Sequence, residues 1–327
     1  DLLDEMDRHG RYFGFQLFSS AEAIRAFGLD NMVRLGVSFV WIGVESATGN
    51  GNFAKNDGVD ARLLTRKLRD RGITVLASGI LCAEHHTPEN IQAEIDFMVG
   101  LEADMVQFML LTPLPVTALY RDMQQKGLLR ENLPFEEWHG QKELSWNHPA
   151  FPGDAPARWL DAAFRADHEA NSSTMYRVIE TAFRGWKRLA ALPRRDACLE
   201  ERMARLARRT LDWMPPLAVL SRRGVNGLER ERAARLEREI AEALGVSPLR
   251  RLALGAAARA IAAAWRLRLR LFGDAIQPAT IVTRYPAAGR RPSGVPIGAT
   301  GRVPSASIPE SLEIAARDAV GAAGAMA

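Results

Sequence analysis

Residues 37–46 read Val37-Ser38-Phe39-Val40-Trp41-Ile42-Gly43-Val44-Glu45-Ser46, an almost continuous apolar run that ends in a glycine, a carboxylate and a hydroxyl. A near-continuous apolar run over 37–44 with little alternation predicts a strand covered on both faces, as in a parallel sheet. The same pattern repeats outward. Residues 12–18 read as a strand, Ser19 and Ser20 as helix caps, and 21–35 as one helix. Residues 60–71 form a charged helix with Gly72 as its stop, and 73–81 the next strand. Thr87-Pro88-Glu89 has the composition of a helix start, with Thr87 as N-cap and Pro88 at the first helical position. Residues 91–101 are that helix and 105–111 the following strand. Strands alternating with helices predict right-handed crossovers and a parallel sheet. Four strand–helix units are too few to close an eight-strand barrel. The expected fold is therefore α/β, the C-terminal part of a partial (β/α) TIM-type barrel with parallel strands over residues 1–123.

The remainder changes character. Residues 124–275 are loop-rich and then mainly helical, with helices expected at 158–192, 199–213, 229–244 and 249–272. The two in the middle carry i,i+4 charge pairs typical of solvated surfaces. Residues 276–327 are rich in Pro, Gly, Ala and Ser with few aromatics, the composition of a disordered tail.

Composition narrows the function classes. The chain has 327 residues, 47% hydrophobic and 25% charged, with a net charge of +4, ordinary for a globular protein. No apolar run approaches the ~20 residues of a membrane span, and no secretory signal opens the chain. Two cysteines, Cys82 and Cys198, argue against a disulfide framework and for a reducing, cytoplasmic setting. They are also too few for a cysteine-ligated iron–sulfur site, which needs three or four thiolates. The basic stretch from Arg184 to Arg270 is interleaved with Glu and lacks stacking aromatics, so nucleic acid is not an expected partner.

Two strand ends carry the candidate chemistry. Ligands of parallel α/β barrels sit beyond the carboxyl ends of the strands. Glu45 and Ser46 close one strand there. The carboxylate could accept bonds from ribose hydroxyls or an amino-acid ammonium, or cap the next turn, and Gly43 would let a ligand approach the backbone. Residues 107–120 read QFMLLTPLPVTALY. Their prolines cannot continue a ladder, which leaves the Thr112-Pro113 backbone free to contact a ligand, or makes a plain turn capped by Thr117.

In order and spacing these motifs resemble the late strands of radical S-adenosylmethionine (SAM) enzymes of the cobalamin-binding type. In that family a strand ending "iGiES" precedes a Lys-Gly-containing turn. A strand with a Gly-x-Pro-x-Glu-Thr-like loop follows, and then "QF…TPxPGTpLY". This chain has WIGVES, Lys55 in FAKNDG, ASGILCAEHHTPE and QFMLLTPLPVTALY, so the resemblance covers residues 12–146. It implies a [4Fe–4S] cluster that reductively cleaves SAM, a cobalamin, and methylation or rearrangement at an unactivated carbon of a small-molecule substrate that the motifs do not identify; the basic apolar helix at 249–272 is compatible with a lipid-like one. The resemblance further implies SAM contacts from Gly43, Glu45, Ser46, Ser78, Gly79, Thr112 and Pro113, and from Gln107, which could face either the barrel interior or the helix layer. The family's CxxxCxxC triad and cobalamin domain are absent from this sequence, Val116 replaces the glycine of PGT, and Leu81-Cys82-Ala83-Glu84-His85-His86 replaces the Gly-x-Pro loop. The chain, which opens at Asp1 in mid-helix, is thus expected to be an N-terminally incomplete radical SAM enzyme. No catalytic residue is identified.

The remaining clusters are ambiguous by sequence. Cys82, Glu84, His85 and His86 have metal-ligand chemistry, but adjacent histidines seldom bind one ion, and no metal site is expected. Trp138-His139, Trp146-Asn147-His148 and Trp159 suit a cavity lining or loop packing. The Ala/Leu/Arg helix at 249–272 could lie on an anionic membrane or pack on the body with arginine stems reaching solvent. Two other roles follow: a catalytically inactive barrel remnant or assembly subunit, and a peripheral, membrane-associated binding module acting through residues 249–272.

Overall fold

The computed structural model describes residues 2–45, 60–130 and 132–273. Ser46, Lys55 and the expected tail at 276–327 lie outside the described residues. The described residues, through Gly273, belong to one compact unit.

The fold is α/β. Four parallel strands, β1 (Phe15–Ser19), β2 (Val37–Glu45), β3 (Thr74–Leu81) and β4 (Met105–Leu110), lie in the order of the chain. Sequential order with crossovers of one hand puts the connecting helices on one face. Helix α1 (Leu2–His9) precedes the sheet; α2 (Ala21–Phe27), α3 (Leu29–Leu35), α4 (Ala61–Arg69) and α5 (Ile91–Val99) are the crossovers. The core lies between these helices and Val40, Ile42, Val75, Ala77, Phe108 and Leu110. Beyond β4 come α6 (Ala118–Gln125), α7 (Ala155–Asn171), α8 (Thr174–Ala190), α9 (Ala197–Trp213), α10 (Leu217–Arg223), α11 (Gly227–Ala243) and α12 (Pro248–Phe272). Helices α7 and α8 pack against the strands.

Several local expectations are corrected. The strand placed at 12–18 begins at Phe15, because Tyr12 gives its carbonyl to the Arg205 guanidinium instead of a ladder. The helix expected over 21–35 breaks at Gly28, whose φ of 90° ends α2 and opens α3, a conformation that glycine adopts without steric cost. Thr87 does not cap α5. Its carbonyl receives the Asn90 and Ile91 N–H groups, and the Asn90 side chain folds back onto the Thr87 N–H and the His85 carbonyl. Strand β2 is not covered on both faces: Val37, Val40, Ile42 and Val44 are buried, whereas Phe39, Trp41, Gly43 and Glu45 are half-buried.

Helix α9 is not a solvated charged surface. Arg205 pairs with Glu201, but Arg202 is 6% exposed and donates to the Val37 and Gly72 carbonyls at 2.8 and 3.1 Å. Arg209 donates to the Thr74 hydroxyl. These arginines cap polar groups at the starts of β2 and β3, groups that would otherwise be buried without partners. A second buried network joins the sheet to α8. Asp104 accepts the Val75 N–H at 2.8 Å and the Thr181 hydroxyl at 2.6 Å. Arg69 bridges Asp104, Thr181, Glu180 and the Glu102 carbonyl. Arg177 makes a two-pronged bond to Asp167 and reaches the Ala103 carbonyl.

Candidate functional site

The register of the sheet collects three of the expected site residues. Gly43 pairs with Ser78, and Ser78 with Gln107. Register partners in a sheet point to the same side, so these three form a row across β2, β3 and β4. That side is opposite the helix layer. One row toward the strand starts, Phe18, Trp41, Leu76 and Met105 are also in register, with the Phe18 and Trp41 rings 4.7 Å apart. The face is thus an apolar floor that meets a small polar strip near the carboxyl ends of the strands. Gln107 Oε1 is buried there and has no hydrogen-bond partner among the described residues.

Gly79 stands on the other side. A Cβ at Gly79 would come within 2.8 Å of the Met98 sulfur on α5, so the glycine lets that helix pack closely and does not line the strip. Glu45 follows a bulge between Gly43 and Glu45 and has φ 69°, which carries the end of β2 out of the regular ladder. Thr112 donates its hydroxyl to the Leu110 carbonyl at 3.1 Å, and Pro113 is buried. Both lie in the loop after β4, which is fastened by the bond from the Leu110 N–H to the Gly140 carbonyl. Thr117 caps α6, accepting the Tyr120 N–H. Val116, which stands in place of the glycine of PGT, has φ 65° and is 88% exposed. The loop keeps the left-handed geometry with a β-branched residue that disfavours it.

The histidine loop is an anchor. His86 Nδ1 accepts the Ala83 N–H at 2.9 Å, so in the neutral ring Nε2 carries the proton, 3.8 Å from a Glu94 oxygen. His85, His86 and Glu94 bring ligand atoms within 4.8 Å of one another, but a metal at His86 Nε2 needs the lone pair that this tautomer lacks. His148 Nε2 meets the Ala83 carbonyl at 3.0 Å and its Nδ1 accepts the Ala150 N–H, so the two histidines grip the same residue from both sides. Burial pushes the Cys82 thiol up to about 12, which keeps it protonated and unreactive.

Sequence reasoning left the Trp146–His148 segment between two roles, and the structure gives it both. Trp146 is buried and donates to the Leu111 carbonyl, while Trp146, His148, Phe151, Arg130, Glu143 and Asp154 border a cleft of about 680 Å³. None of Gly43, Glu45, Ser78, Gly79 or Gln107 lines that cleft. Trp138 is a packing residue against Tyr120 and Phe135.

Compared with models of known protein families the chain matches none, and no curated protein matches it.

Proposed function

We propose that this chain is the SAM-binding side of a radical SAM-type partial barrel. The nucleoside portion of SAM would rest on the Gly43–Ser78–Gln107 strip, with Glu45 and the Thr112-Pro113 loop at its border. The observation that carries this reading is the buried Gln107 Oε1 beside Ser78, without a hydrogen-bond partner among the described residues, on the half-buried face of a sequentially ordered parallel sheet. A buried acceptor without a partner fits a ligand that donates a hydrogen bond, as a ribose hydroxyl, an adenine amino group or an ammonium does. The apolar row below suits the flat face of a base.

The residues do not fit a [4Fe–4S] cluster. Two cysteines cannot supply three thiolates, and Cys82 is a buried, protonated thiol. Nor do His86 and His148 suit a cobalamin ligand, since each accepts a backbone N–H at Nδ1 and so carries the proton of its neutral ring on Nε2. What this chain contributes is the binding and orientation of the nucleoside, not the reductive step. The test is calorimetric binding of S-adenosylhomocysteine to the chain and to Gln107→Leu, with binding weakened in the variant.

A second reading, that of an assembly subunit, is favoured by one observation. Phe18 is 76% exposed on the edge strand, its ring tilted against Trp41, and an edge strand with exposed apolar side chains is a ready surface for pairing.

A further inference from the structure

We infer that α12 docks on an anionic lipid bilayer, with phosphate headgroups taken into an arginine-lined cleft between α12 and α10. The inference is independent of the SAM reading and rests on how the residues of α12 are distributed around its axis.

The face of α12 turned to the body is set by Gly255, the one buried residue of the helix, whose added Cβ would touch Ala218 of α10 at 3.0 Å. At about 100° per residue, the pole opposite holds Leu249, Ala253, Ala260, Ala264, Leu267 and Leu271. All six are exposed, Leu249 to 77% and Leu271 to 66%. A surface helix ordinarily turns its polar residues outward; α12 does the reverse. Arg250 and Arg268 border this arc on one side and Arg270 on the other, while Arg259 and Arg266, within about 40° of Gly255 at 100° per residue, lie toward the body and line the cleft beside α10. Residues 248–273 contain six arginines and no acid.

The cleft supplies a second and separate observation. About 330 Å³ of space is lined by Arg222 and Arg223 of α10 and by Arg259 and Arg266 of α12, together with Val219 and small alanines. No carboxylate borders it among the described residues. Four guanidiniums around one space repel one another unless an anion joins them, and guanidinium matches phosphate in geometry.

An apolar strip with cationic margins is the arrangement of a helix that lies in the headgroup region, its arginine stems reaching outward to phosphates. No helix among the described residues is long and apolar enough to cross a membrane, and α12 is suited to lying on one. A second copy is the weaker occupant. Pairing two α12 helices through this strip would bring their arginine margins together with no acid in either helix to offset them.

The experiment is co-sedimentation of the full chain with vesicles of phosphatidylcholine alone and of phosphatidylcholine with phosphatidylglycerol. Binding only to the second is expected. Leu267→Asp/Leu271→Asp should reduce the partition coefficient by about tenfold or more, and so should Arg259→Glu/Arg266→Glu. Both pairs lie on exposed or partly exposed positions, and far-UV circular dichroism should show unchanged helicity. Equal binding to both vesicle types, no binding to either, or binding indifferent to both pairs would overturn the inference. Concentration-dependent dimerisation lost in Leu267→Asp/Leu271→Asp, with no vesicle binding, would assign the strip to a second copy instead.

Discussion

Ser78 and Gln107 are register partners across β3 and β4, and the Gln107 oxygen beside Ser78 is buried without a hydrogen-bond partner among the described residues. Such an acceptor costs roughly 1–3 kcal/mol when left unmade. A fold selected for stability alone would place an aliphatic side chain there, in keeping with Met105 and Met109 on the same strand face. Gln107→Leu should therefore stabilise the ligand-free chain by about 1 kcal/mol, read as a higher urea midpoint at unchanged m-value. A lower midpoint would mean that the amide already has a structural role.

Val116 predicts a gain of another kind. A β-branched residue at φ 65° carries backbone strain of about 1–2 kcal/mol, and at 88% exposure it has little packing to lose. Val116→Gly relieves the strain while adding freedom to the unfolded chain, for a net stabilisation of about 0.5–1 kcal/mol. Thermal unfolding of the two proteins decides it, and a destabilised glycine variant would show that Val116 makes contacts that outweigh its geometry.

The Arg69–Asp104 pair predicts non-additivity. Side chains at 5% and 0% exposure form a charge pair that is costly to break from one side only. Asp104→Ala should cost about 3–5 kcal/mol, because Arg69 is left buried with Glu180 as its remaining acidic partner. Adding Arg69→Met should restore part of that loss, so the double-mutant cycle should give a coupling of 1 kcal/mol or more, roughly the range for residues in one network. Simple additivity would contradict the network.

A pH dependence follows from the histidines. Burial pulls the His148 ring below its ordinary value of 6.5; the bond to the Ala83 carbonyl works the other way, and His86 adds to the lowering. His85 is lowered by burial and then by His86. Near and just below pH 6.5 the unfolded chain thus binds more protons than the folded one. Stability is complete above 6.5 and falls as the pH drops below it, by at most about 1.4 kcal/mol per pH unit for each ring. Urea midpoints from about pH 8 to pH 5 should show this fall, with a flatter profile in His148→Gln. Asp196 and Glu229, both held below the usual carboxylate values, add their own loss only at lower pH, where carboxylates titrate. A profile flat across the histidine range would refute the assignment.

The parallel sheet was legible because hydrophobic period and helix length change together at each strand, from Val37–Glu45 through to Met105–Leu110. What the periodicity could not show is which face is covered: Phe39 and Trp41 have core composition, and only the one-sided placement of the helices leaves them half-buried. Arg202 was hidden for a similar reason. An arginine among Arg and Glu reads as solvated, and its burial depends on strand-start carbonyls more than 120 residues away. Of the candidate site, Gly43, Ser78 and Gln107 were named by motif, and register alone makes them one row. Gly79 stood next to Ser78 in the same motif, and the pleat of the strand sends it to the opposite face.

The most direct measurement is isothermal titration calorimetry of S-adenosylhomocysteine into the chain, into Gln107→Leu, and into Leu271→Asp as a control far from the strip. The account predicts binding by the unaltered chain and the control, weakened roughly tenfold in Gln107→Leu, which corresponds to loss of one buried hydrogen bond of about 1.4 kcal/mol. Absence of binding to the folded chain, or equal affinity in Gln107→Leu, would contradict it.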